Sequence, residues 1–127
     1  MRNHLRFTRD LIALRRSLPG LNGEGVNAFL HHNIDRIIAF QRWVEGAGED
    51  VVVVASLNEF TFYGYEVGFP GPGRWREAFN SDVYDNWVNP IVAGNGGEVL
   101  ANGPGAQGLP FSASIVMPAN GLLVFAR

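Results

Sequence analysis

VVVVASLN, residues 51–58, is the stretch on which the reading of this chain turns. Successive side chains of a strand point to opposite faces, so Val51 and Val53 need cover on one side while Val52 and Val54 need it on the other. Neither face is polar, and the run predicts an inner strand. Such a strand requires neighbours in its own sheet, a second layer over one face and something further over the other. The chain after it supplies mostly strand patterns, and the chain before it supplies one helix.

Bulk composition narrows the classes. A chain of 127 residues is long enough for one domain with a packed core. It has no Cys, which excludes disulfides and thiolate metal sites. The net charge is −2 and every strongly basic residue is Arg, a balance that argues against a nucleic-acid surface. No apolar run approaches the roughly 20 residues of a membrane span, and no signal-peptide pattern opens the chain. The expectation is a soluble, cytoplasmic unit without membrane or cofactor. The 16 Gly and 7 Pro fall mainly after Asn22, as suits an all-β region rich in turns.

Residues 3–18 carry helical periodicity that stops at Pro19-Gly20, with Asn3 in position to cap. At about 100° per residue, Phe7, Leu11, Leu14 and Leu18 form one narrow stripe, while Leu5 and Ile12 fall together roughly 130° away. Two apolar stripes call for two partners. A small sheet can bury one of them, and the other implies a larger body or self-association. Arg2, Arg6, Arg9 and Arg16 cover much of the remainder, as solvated charges or partners of carboxylates.

Strands are expected at residues 26–31 and 36–43, around a turn at 33–35. His31 and His32 are strand neighbours that point apart, and no third ligand stands at a recognisable spacing, so no metal site is expected. Residues 60–70 alternate, with Tyr63, Tyr65, Val67 and Phe69 on one side. Residues 74–80 place Trp75 and Phe79 together on one face, Trp75 as a core residue. Trp87 is different. It sits with Tyr84 and Asp85 in the irregular segment 81–90, the composition of a carbohydrate platform and equally of a loop plugged into a sandwich edge. The Gly- and Asn-rich stretch 89–108 lacks the Lys and Ser/Thr of a phosphate loop and reads as long turns. Residues 109–117 and 122–126 close the chain as apolar strands. The expected fold is all-β, a Greek-key antiparallel β-sandwich of about eight strands preceded by one N-terminal α-helix.

Chemistry-bearing motifs are missing. No carboxylate pair is predicted to share a cleft, and a nucleophile elbow, a zinc motif and a dinucleotide fingerprint are absent. No catalytic residue is assigned.

Several segments nonetheless carry a resemblance. RFTRDLIALRRSLPGL at the start resembles the last catalytic-barrel helix of the α-amylase superfamily, as in glucan branching enzymes. IIAFQRW, VVVVASLN, YGYEVGFPGPGRWREAFNSD and MPANGLLVFAR follow in the order of that family's C-terminal all-β domain. RDLIALRR and GRWREAFNSD are the most specific pieces. After NSD this chain continues VYDNWVNP in place of a Tyr-Gly-Gly-type sequence, and Met117-Pro118-Ala119 replaces a Leu-Pro-Pro turn.

The resemblance implies residues 1–20 as the terminal helix of a (β/α)8 barrel and residues 21–127 as the C-terminal all-β domain. It implies a parent enzyme that attacks an α-1,4 bond with retention through an aspartate nucleophile and a glutamate acid-base, then transfers the chain to a sugar 6-hydroxyl. None of those motifs lies here. The fragment is therefore expected to be inactive alone, to brace its own catalytic barrel, and to contact α-glucan such as glycogen or starch. Trp87, Tyr84 and Asp85 are the candidate sugar contacts, and Leu5, Ile12, Phe7, Leu11 and Leu14 the candidate domain interface. Two alternatives stay open: the C-terminal domain of another α-amylase-type glycoside hydrolase, or an independent carbohydrate-binding module.

Overall fold

A computed structural model of the chain describes residues 2–22, 25–32, 34–44, 50–82 and 94–127. Helix α1 (Arg2–Ser17) leads through Leu18 into a single turn, α2 (Pro19–Asn22). Eight strands follow among the described residues: β1 (Gly25–His32), β2 (Ile37–Trp43), β3 (Val51–Ser56), β4 (Phe62–Phe69), β5 (Gly73–Asn80), β6 (Glu98–Ala101), β7 (Phe111–Met117) and β8 (Leu122–Ala126). All pairings are antiparallel. Six strands form one sheet in the order β1-β2-β3-β8-β5-β6, and β4 pairs with β7 in a second, two-stranded sheet. The result is an all-β sandwich with a helix before it.

The valine strand is central, between β2 and β8, and the two sides of the run meet two different cores. Val52 and Val54 face the second sheet, in a cluster with Ile37, Trp75, Leu123, Phe125, Val67, Phe69, Ile115 and Met117. Val51 and Val53 face the other way, clustered with Leu18, Phe79, Val124 and Ala126 and covered by Phe7, Leu11 and Leu14 of α1. Trp75 is fully buried. Its indole N–H donates to the Gly71 carbonyl at 3.0 Å, Phe69 packs at 5.1 Å between centroids, and the Arg127 guanidinium lies 5.4 Å over the ring.

Strand alternation fails at three places among the described strands, one of them in β1 between Ala28 and Leu30. The register of β5 shifts between Glu77 and Phe79, so Trp75 joins the inter-sheet core while Phe79 turns to the helix side. The two were expected on one face, and the extra residue separates them. On β4 the register shifts between Tyr63 and Tyr65, around Gly64 at φ 86°. Tyr65 and Phe62 pack on the core, whereas Tyr63 stands 79% exposed. The stretch read as continuous turns holds β6, a short edge strand whose Val99 and Ala101 are buried beside β5. Asn3 lies within the first turn of α1 and does not precede it.

On each outer edge of the two-stranded sheet an amide side chain pairs with the strand, and on the β7 edge the Gly103 N–H also donates to the Ser112 carbonyl at 2.9 Å. Asn95 accepts from the Val116 N–H at 2.7 Å and donates to the Val116 carbonyl at 3.0 Å on the β7 edge. On the β4 edge Gln107 accepts from the Gly68 N–H at 2.5 Å and donates to the Glu66 carbonyl at 3.2 Å. Each amide has the donor and acceptor of a peptide unit, so it completes the strand's hydrogen bonding as a third strand would. Asn95 is held in turn by Glu77, whose carboxylate accepts its backbone N–H at 3.1 Å and its side-chain N–H at 2.7 Å.

Candidate docking surface

The outer face of the six-stranded sheet is only partly covered. Helix α1 lies over β5, β8 and β3, with the Phe7 ring edge-on to Phe79 at 5.5 Å. Toward β1 and β2 the apolar surface continues without it. Ile37 and Ala39 of β2 belong to the inner core, so Ile38, Phe40 and Arg42 face outward by alternation. Val26 pairs opposite Arg42 and shares that face. Val26 is 61% exposed and Ile38 43%. Between α1 and the sheet lies an apolar cleft of about 400 Å³, walled by Leu11, Ile12 and Leu14 and floored by Phe40, Val53 and Val124.

The helix adds its own uncovered stripe. Phe7, Leu11 and Leu14 pack on the sheet, while Leu5 is 61% and Ile12 51% exposed. Leu5, Arg9, Ile12 and Arg16 recur at helical spacing on one line, all exposed. The stripe alternates apolar and basic residues, and the cleft beside it is bordered by Arg15 and Arg42. A surface of this kind fits an apolar protein face carrying carboxylates at its rim. Contiguous exposed apolar surface on one side of a small domain marks an interaction site.

Among the described residues no group of three or more His, Cys, Asp or Glu could hold a metal ion, and no helix is long and apolar enough to cross a membrane. The most perturbed titratable group is Tyr65, whose phenol is pushed up to about 12 by burial first, and then by its hydrogen bond to Asp35 and by that residue's negative charge. The Tyr65 O–H donates to Asp35 Oδ2 at 3.1 Å, and His32 Nδ1 accepts the Asp35 N–H at 3.1 Å. Asn58 Nδ2 donates to the Asp35 carbonyl at 3.2 Å. Together these bonds latch the β1–β2 turn to β4 and to the segment after β3. The arrangement holds a turn.

Trp87, Tyr84 and Asp85 lie outside the described residues. Sequence reading picked out the helix stripe and missed the sheet's share of the surface, Val26, Ile38 and Phe40, because an outward face is defined by register and not by any local motif.

A helix-capped all-β sandwich with part of one apolar face exposed is the class of domain that this fold defines. Residues 29–127 match the model of the alpha amylase C-terminal all-beta domain, and the chain belongs to that family. It is similar to the 1,4-alpha-glucan branching enzyme GlgB of Nitrosomonas europaea, 34% identical over 119 residues that make up 88% of this chain and 16% of the relative. The namesake enzyme of Frankia casuarinae is 34% identical over 128 residues, 92% of this chain and 15% of the relative. That of Rhodococcus jostii is 33% identical over 135 residues, 96% of this chain and 17% of the relative. The chain thus spans about one sixth of the length of the curated relatives it matches. A match that takes in 96% of the chain includes most residues of α1 as well as the sandwich.

Proposed function

We propose that this chain is the noncatalytic C-terminal domain of a 1,4-α-glucan branching enzyme, and that α1 with the open half of the outer sheet face docks against that enzyme's catalytic (β/α)8 barrel. The observation that carries this reading is the uncovered apolar face, Leu5, Ile12, Val26 and Ile38 around the cleft, on a unit similar to one sixth of several branching enzymes. Covering each of those side chains contributes about 1–2 kcal/mol to the joined enzyme, since each is already partly shielded. The parent cleaves an α-1,4 bond and passes the chain to a 6-hydroxyl in glycogen or starch synthesis. This domain supplies none of the reacting groups and holds the barrel's surface out of water. A cytoplasmic site follows from the same reading.

The gene's complete reading frame tests it. The expected result is an upstream (β/α)8 barrel with aspartate and glutamate at its strand ends, and an expressed protein that raises the number of α-1,6 linkages in amylose. A barrel that only hydrolyses the polymer would reassign the domain to another α-amylase-type enzyme. A frame without a barrel would overturn the reading.

A further inference from the structure

The bulge at Gly64 does more than terminate an alternation. On β7, Ala113, Ile115 and Met117 face the core, so Ser114 and Val116 face outward. Tyr63 pairs opposite Val116, and Glu66 pairs opposite Ser114. The outward face of the two-stranded sheet therefore carries Tyr63, Val116, Glu66 and Ser114 in adjacent rows. Unbroken alternation would have put Tyr63 with Tyr65 on the core side; the extra residue turns its ring to solvent, 79% exposed. Bulges that re-aim one side chain recur beside functional sites. Gly64 supplies the φ of 86° at which the bulge turns, a conformation that side-chain-bearing residues rarely adopt.

The chemistry of the shelf is specific. One exposed phenol ring offers an apolar surface, and a carboxylate and a hydroxyl stand beside it as hydrogen-bond partners. Neither β4 nor β7 contains Arg, Lys or His, so nothing on the shelf attracts a phosphate or nucleic acid. A neutral polyhydroxylated ring fits: its C–H face lies on the aromatic and its hydroxyls donate to Glu66 and exchange bonds with Ser114. Phe60, 68% exposed, lies three residues before Tyr63, hence within about 11 Å of it along the chain. Its backbone N–H donates to Asn58 Oδ1 at 2.9 Å, and the Asn58 carbonyl accepts from the Asn120 N–H at 2.9 Å, so the segment that bears the ring is itself pinned. The amide clamps of Asn95 and Gln107 hold the sheet beneath. A ring fixed in advance loses little freedom on binding.

We propose that the outward face of β4 and β7, with Tyr63 as its stacking ring, Glu66 and Ser114 as its polar contacts and Phe60 at its end, is a surface site for an α-1,4-linked glucan chain. The identity of the glucan rests on the branching-enzyme reading above. The site lies on the second sheet, away from the docking surface, and stays open when that surface is covered.

The test is native electrophoresis of the 127-residue chain through gels containing glycogen. The unsubstituted chain is retarded, Tyr63→Ala weakens the apparent affinity at least about fivefold, Tyr63→Trp restores it, and Glu66→Ala and Phe60→Ala give smaller losses. Melting temperatures establish that the variants are folded. Should Tyr63→Ala fail to fold, maltoheptaose titrated into the unsubstituted chain provides the second readout, with amide resonance shifts confined to residues around Gly64, Glu66 and Ser114. Equal retardation of Tyr63→Ala and the unsubstituted chain, no retardation of either, or shifts elsewhere would overturn the site. Branching by the complete reading frame is a separate measurement, so the site can fail while the domain assignment stands.

Discussion

The two faces of the six-stranded sheet are made of similar residues and meet different fates. On the inner face Ile37, Ala39, Val52, Val54, Trp75, Leu123 and Phe125 all have 0% exposure. On the outer face Val51, Val53, Phe79 and Val124 are buried under α1, but Val26 and Ile38 remain 61% and 43% exposed. Apolar residues alone do not tell a core from an interface. The difference is whether the chain carries enough of itself to cover the face. A second sheet closes the inner side, whereas one amphipathic helix covers about half of the outer side. The helix then presents a stripe of its own, so apolar surface is displaced outward and not eliminated.

The largest test of the contrast falls on the inner face. Trp75→Ala leaves a cavity against Phe69, removes the ring beneath Arg127 and strands the Gly71 carbonyl, and is expected to cost about 3–5 kcal/mol in urea unfolding. A loss near 1 kcal/mol would mean that the inner face is loosely packed and the comparison with the outer face empty. A smaller effect belongs to the sandwich rim. Replacing Asn95 with Leu removes both amide bonds to Val116 and the side-chain bond to Glu77, leaves Val116 unpaired on the β7 edge, and is expected to cost about 1–2 kcal/mol. Slower hydrogen exchange at the Val116 amide in the variant than in the parent would refute the clamp.

A pH effect sharpens the description where the sheets meet at the β1–β2 turn. Tyr65 has a folded pKa of about 12 against an ordinary value of 10.0. Because the folded value is the higher, the protonated phenol favours the folded state. That contribution is fully present below about pH 10 and is lost as pH rises toward 12. Asp35→Asn removes the negative charge that opposes ionisation and weakens the hydrogen bond, so the Tyr65 titration moves down. It does not return fully to 10.0, since burial is the first cause. Absorbance titration of tyrosinate, with Tyr65→Phe to identify the residue, measures both statements.

Legibility followed the range of each interaction. The valine run could be read at once because a period of two over Val51 to Val54 has one meaning, and the Phe7, Leu11, Leu14 stripe because a helix repeats locally. The bulge at Ala78 could not be read. Nothing in REAFN distinguishes an extra residue from regular alternation, and Phe79 was placed with Trp75 for that reason. Gly64 did carry a signal, since a glycine inside a strand commonly marks a bulge, and Tyr63 would have been turned outward had it been weighed. The amide clamps join residues 21 to 41 positions apart, a pairing that exists only once the sheets have met. The outer face was hidden similarly: Val26 and Ile38 look like core residues until register turns them outward, 61% and 43% exposed.

The smallest expected effect on stability is also the most decisive for the contrast. Leu5→Asp and Ile12→Asp alter side chains 61% and 51% exposed on the outer line of α1, Ile12 at the rim of the cleft beside the sheet. In the 127-residue chain each substitution is expected to change unfolding free energy by no more than about 0.5 kcal/mol, with the lower helix propensity of Asp accounting for most of it. In the complete reading frame, under the proposed docking, the same aspartates are expected to be buried without partners, and the midpoint of thermal inactivation to fall by several degrees. A loss above about 1 kcal/mol in the short chain would show that the stripe is already internal to this fold. No loss in either would leave Leu5 and Ile12 as scattered surface residues, and the docking face would shrink to the sheet. Loss in the long chain alone separates an interface from a core.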